Sequence, residues 1–164
     1  MSVFKATREV PAPAIRVFDF LADGARHAAW IAQENEGARP VREVVKTRHL
    51  SGPEVGEGAT YHLRLTLGGK EMKDHEFRTE VYEPARRLVF RAEMGFDLAF
   101  DLEEIPAGTL LTCTRDHNKA PRGFLDRFIS RRLAPKYAEA SIADDLARIE
   151  RALEAAGSSA EGAA

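Results

Sequence analysis

Apolar residues recur along this chain with two periods, and the changes between them mark out its elements. Residues 3–10 carry β-branched and aromatic side chains and read as a strand that stops at Pro11-Ala12-Pro13, because proline fixes φ and offers a sheet no N–H. Ile15, Phe18, Leu21 and Ala22 then recur at helical spacing up to Asp23-Gly24, and a second short helix over residues 25–31 carries Trp30. From residue 41 to 119 the period falls to two. Tyr61, Leu63, Leu65 and Leu67 alternate with Thr60, His62, Arg64 and Thr66, the pattern of a strand with one buried face. Gly68-Gly69 reads as a two-residue hairpin turn, and residues 70–82 as one strand long enough to need curvature. Glu83-Pro84-Ala85-Arg86, Gly95 and Pro106-Ala107-Gly108 punctuate the strands that follow. Among these, Phe96, Leu98, Phe100 and Leu102 alternate with Asp97, Ala99, Asp101 and Glu103. About seven strands in meander order predict a largely antiparallel sheet.

The helical period returns near Arg122. Phe124, Leu125, Phe128, Ile129, Leu133, Tyr137, Ile142, Leu146, Ile149 and Leu153 form one stripe over residues 122–156, a helix ~50 Å long. Pro135 predicts a bend in it, since the carbonyl of Arg131 loses its donor. Arg122, Arg127, Arg131, Arg132 and Lys136 crowd the first half, and Glu139, Asp144, Asp145, Glu150 and Glu154 the second. That order opposes the helix dipole. It reads either as a solvated face or as a patch for an acidic partner or an anionic membrane. One domain over residues 1–156 is expected, followed by a disordered Gly/Ser/Ala tail over 157–164.

Composition adds chiefly exclusions. At 164 residues and 18.2 kDa, the chain is one domain's worth. Twenty-four Lys and Arg against 26 Asp and Glu give a formal charge of −2, which disfavours a nucleic-acid binder. The single cysteine, Cys113, rules out an internal disulfide and fits a reducing compartment. No apolar run approaches the ~20 residues of a membrane span, and residues 2–5 do not open a secretory signal. A cytoplasmic protein is expected. The histidines at 27, 49, 62, 75 and 117 lack paired metal-ligand spacing, so neither metal nor cofactor is expected. Cys113 and His117 lie ~13 Å apart along a strand, too far for a thiol–imidazole pair. The glycine-containing stretch over residues 52–58 lacks the Lys-Ser/Thr of a phosphate loop and leads into a strand.

Polar residues that share parity with buried ones are the chemical candidates. Lys73 and His75 share a face with Phe77 and Val81; Arg115 and His117 share one with Leu111 and Cys113. A polar group in an apolar wall is costly unless partnered. Facing inward, Arg115 would hold a carboxylate or phenolate, and His75 would hydrogen-bond a ligand carbonyl or move a proton. A strand end or a bulge would instead expose them.

Four stretches carry a family resemblance: Val10-Pro11-Ala12-Pro13 with the helix over residues 17–23; Val55-Gly56-Glu57-Gly58-Ala59-Thr60; the turn over residues 81–90; and Ala147-Arg148-Ile149-Glu150. In this order the chain resembles the START-related superfamily (SRPBCC), which includes Bet v 1-like proteins and polyketide cyclases, and Trp30 falls where a tryptophan is usual. The resemblance implies an α+β helix-grip fold of order β-α-α-β6-α: a curved seven-stranded antiparallel sheet wrapped around a long C-terminal helix, with a ligand cavity between them. The lining expected for that cavity is Trp30, Tyr61, Leu63, Leu65, His75, Phe77, Phe90, Leu98, Phe100, Leu111, Cys113, Arg115, Phe124 and Phe128. The same residues would otherwise simply fill the core. The function implied is binding of a small hydrophobic or aromatic, lipid- or polyketide-like ligand, and a homodimer is compatible with it. The alternatives are a cyclase or aromatase, and a protein-interaction module related to chaperone ATPase activators. No catalytic residue is assigned.

Overall fold

Alternation along the strands becomes one antiparallel sheet. The computed structural model describes residues 3–31, 42–67, 70–71, 74–93, 95–117 and 134–162. Among these, β1 (Val3–Val10) leads through Pro11-Ala12-Pro13 into α1 (Ala14–Ala22), a 3-10 turn (Gly24–Arg26) and α2 (His27–Ile31). The strands β2 (Arg42–Ser51), β3 (Thr60–Leu67), β4 (Lys70–Glu71), β5 (His75–Glu83), β6 (Arg87–Ala92), β7 (Phe96–Ile105) and β8 (Gly108–Asp116) follow, then α3 (Ala134–Gly162). The sheet order is β1-β8-β7-β6-β5-β3-β2, with the two-residue β4 paired only to β3. This is the curved seven-stranded antiparallel sheet of a helix-grip fold, with the long C-terminal helix against it.

The first strand closes the sheet against the last. Val3 pairs with Asp116 and Val10 with Thr109, and the Thr109 hydroxyl donates to the Ala12 carbonyl at 2.6 Å. Gly108 takes φ +138° at this corner, where a Cβ would collide with the Val10 carbonyl oxygen. Only glycine fits there.

Two expectations about the strands change. The run read as one strand over residues 70–82 is divided into β4 and β5. Its curvature enters at a bulge: Thr79 pairs with Phe90 and Val81 with Val89, leaving Glu80 as the extra residue. A bulge reverses parity beyond it. Tyr82, not Val81, therefore packs on the core, its ring edge-on to Phe18 at 5.0 Å. The Gly68-Gly69 turn lies outside the described residues, although Leu67 and Lys70 on either side of it are paired.

Helix α3 packs chiefly against β1, and also against β8 and α2, while α1 lies across β6, β7 and β8. Its buried positions Ile142, Leu146, Ile149 and Leu153 continue the stripe seen in the sequence. The predicted first half of that helix, with the bend it would need, lies outside the described residues. Pro135 is the second residue of the described helix. At the other end the helix runs to Gly162 instead of stopping at Ala156. The Ser158 and Ser159 hydroxyls bond back to the carbonyls of Glu154 and Ala155, and the Arg16 guanidinium lies across Gly157. Among the described residues no helix is long and apolar enough to cross a membrane.

Candidate functional site

The inner face of the sheet has two ends of different character. Toward α1 it is closed: Tyr61, Leu88, Phe100, Leu111 and Cys113 are buried in one cluster with Phe18, Leu21, Leu146 and Ile149. Further along β3, β7 and β8, and at the start of β5, Leu63, Phe96, Leu98, Arg115 and His75 are only partly buried. They keep the inward parity of their buried neighbours, since Leu98 pairs with Phe90 and Arg115, and Leu63 with His75.

Arg115 anchors the second end. Its side chain is 16 % exposed, and its Nη2 donates to Asp145 Oδ2 at 3.0 Å. Its guanidinium carbon stands 5.5 Å from the centre of the Phe96 ring, a favourable cation–π arrangement. Asp145 Oδ1 accepts from Nη2 of Arg148, whose side chain is 2 % exposed. One buried carboxylate thus bridges two guanidinium groups. Losing it would remove the carboxylate that both guanidinium groups share. His117 packs beside this group, 5.9 Å from the Phe4 ring and 5.3 Å from the Phe96 ring.

Across the face, His75 presents a buried Nε2 with no partner among the described residues, and so do Thr79 Oγ1 and Trp30 Nε1. Between Trp30 and the sheet sits His27. Its ring is stacked on Phe77 at 5.2 Å, edge-on to Phe90 at 4.9 Å and 5.3 Å from Trp30. Nε2 of His27 donates to the Leu21 carbonyl at 2.8 Å. Burial lowers its pKa to about 4, so it is a neutral core histidine near pH 7.

Other candidates are tied down. The Tyr61 hydroxyl donates to the Glu54 carbonyl at 2.6 Å, which fixes the loop between β2 and β3. Nε2 of His49 donates to the carbonyls of Gly52 and Pro53 in the same loop. Burial pushes the Cys113 thiol up to about 12, so it stays protonated and unreactive. Among the described residues no cluster of His, Cys, Asp and Glu could hold a metal ion.

Of the sequence-derived lining, Phe77, Phe90 and Trp30 converge around His27, whereas Leu98 and Arg115 stand together near Phe96. Tyr61, Phe100, Leu111 and Cys113 belong to the sealed cluster. The Leu65 side chain, Phe124 and Phe128 lie outside the described residues. Arg115 and His75 are not neighbours: β7 and β6 separate their strands. Sequence reasoning missed Asp145 and Arg148 as buried groups. The available signal was the spacing of Asp145 with Ile142, Leu146 and Ile149, which puts it on the apolar stripe. A groove of about 340 Å³ lies on the outer face beside Arg87, Asp101 and Thr112. Another of about 240 Å³ runs between Pro11, Arg16 and the Leu153–Gly157 side of α3.

A family model described as polyketide cyclase / dehydrase and lipid transport matches residues 1–154. The chain belongs to this family. No curated protein matches the sequence significantly. Solved structures similar to this chain include the AHSA1-like protein from Aeromonas hydrophila, with 16% identity, TM-score 0.67 and coverage of 95% of this chain and 94% of that one. TTHA0849 from Thermus thermophilus is similar at 17% identity and TM-score 0.68, over 94% and 99% of the two chains. DynU16, a protein of the dynemicin biosynthetic locus, is similar at 19% identity and TM-score 0.57, over 94% of this chain and 48% of its own. At these identities the likeness is one of fold.

Proposed function

We propose that the chain binds a small apolar or aromatic molecule, lipid- or polyketide-like, between the half-buried end of the sheet and α3. The observation that carries this reading is the change of exposure along single strands. On β7, Leu98 is partly exposed while Phe100 is 1% exposed, though both face inward. Solvent therefore reaches Leu98 but not Phe100, the next inward residue on β7, while Phe90 and Thr79 in register with Leu98 stay buried. A half-covered apolar wall with a few polar groups is the composition of a ligand site, and the family description supports an interior ligand. The buried free thiol suits a cytoplasmic setting.

A cyclase or aromatase would need acid and base groups converging on one reacting carbon. Arg115 and His75 stand on strands that two others separate, and the Cys113 thiol is held protonated. Binding is the better-supported reading. The test is a titration with the neutral probe N-phenyl-1-naphthylamine, followed by its fluorescence. Wild type should take up one probe per chain, and Leu98→Trp should weaken uptake at least fivefold at unchanged Tm. Absence of uptake, or uptake indifferent to Leu98→Trp, would remove the reading's support.

A further inference from the structure

Among the guanidinium–carboxylate contacts of the described residues, three make an informative contrast. On the outer surface, Arg64 meets Asp74 through both Nε and Nη2, at 2.8 and 3.0 Å. Arg91 meets Asp97 through the same two nitrogens, at 3.0 and 3.3 Å. Each is a two-pronged fork on one carboxylate, the geometry a guanidinium favours. Inside, Arg115 reaches Asp145 through Nη2 alone. Its Nε is buried and has no partner among the described residues. Asp145 cannot complete this fork as it stands, because its second oxygen accepts from Arg148. The half-used fork lies at the partly exposed end of the inner face, with the Phe96 ring against the guanidinium and Leu98 as register neighbour.

We propose that the Nε–H of Arg115 donates to one oxygen of an anionic ligand head, a carboxylate, sulfonate or enolate. The ligand is thus an amphiphilic organic acid with an aromatic or polycyclic body. This rests on the reading that the interior binds an apolar molecule, and it adds the chemistry of the head and the orientation. The body lies along Phe96, Leu98 and Phe90 toward β5. There Oγ1 of Thr79, in register with Phe90 and Leu98, is buried without a partner among the described residues and meets a second polar group of the ligand. Three strand spacings separate β8 from β5, ~14 Å at ~4.8 Å each, which sets the span at about three linked or fused rings.

The test compares 8-anilinonaphthalene-1-sulfonate with N-phenyl-1-naphthylamine, which share one ring skeleton and differ by the sulfonate. Wild type should bind the sulfonate at least tenfold more tightly. Arg115→Gln should abolish that preference, bringing the ratio of the two affinities to within threefold of one. Arg115→Lys keeps the charge without the fork and should retain only part of the preference. It also serves where the glutamine variant fails to fold, and Tm reports folding of both. Equal affinity of wild type for the two probes, or a preference undiminished in Arg115→Gln or in Arg115→Lys, would overturn the anionic head while leaving the binding site standing. Failure of wild type to bind either probe would overturn the binding reading itself, and this inference with it.

Discussion

Leu88, Phe100 and Leu111 line one end of the sheet's inner face, and Phe96, Leu98 and Arg115 line the other, on the same three central strands or their neighbours. The first end is sealed by aromatic and aliphatic packing beneath α1. The second is half-covered and organised by the Arg115–Asp145–Arg148 bridge. Alternation makes both ends look alike in sequence, yet packing makes one a core and the other a wall. On the proposed reading, the fold places a site without altering its strands: it leaves some inward residues only partly buried and puts a few polar groups among them.

Removing the bridge should have the largest effect. Asp145→Ala removes the carboxylate shared by the buried Arg148 and the partly buried Arg115, and should destabilise the protein by about 3–5 kcal/mol, read as a shift in urea midpoint. A loss below ~1 kcal/mol would mean that solvent compensates those charges and that the second end is no organised wall.

The sealed end has a pH signature. His27 is held to a pKa of about 4 when folded, against 6.5 in the unfolded chain. Between those values the unfolded state binds a proton that the folded state refuses, so stability is complete above pH 6.5 and falls as pH drops toward 4. The shift corresponds to about 3 kcal/mol. His27→Phe should flatten this window in urea titrations run from pH 7 to 4. An unchanged pH profile would place the imidazole in contact with water.

A matched pair of substitutions sharpens the comparison at smaller scale. Phe100→Trp adds volume where nothing can move and should cost about 1–3 kcal/mol. Leu98→Trp, one inward position away, should cost less than ~0.5 kcal/mol, as changes at open positions do. Equal costs would erase the distinction between the two ends.

Much of the fold was legible because it depends on local period. The parity of β7 and β8, the proline stop after β1 and the stripe from Ile142 to Leu153 all appear as expected. The bulge at Glu80 was not legible, since it follows from how β5 pairs with β6, and it turned Tyr82 inward in place of Val81. Asp145 and Arg148 escape a sequence reading because charges on a long helix ordinarily face water. Their burial depends on Arg115, thirty positions away from Asp145 in sequence. Sequence pattern placed Phe100 and Leu98 on one wall but could not separate them. Which row is covered depends on where α1 and α3 cross the sheet.

The central claim is that ligand meets the Leu63–His75–Leu98–Arg115 end of the inner face and not the sealed end. Backbone amide NMR during a titration with N-phenyl-1-naphthylamine tests it directly. The account predicts the largest shift changes at Leu63, His75, Phe96, Leu98 and Arg115, with Leu88, Phe100 and Leu111 little affected. Changes centred on Leu88, Phe100 and Leu111, or confined to the outer-face groove beside Arg87 and Asp101, would contradict it.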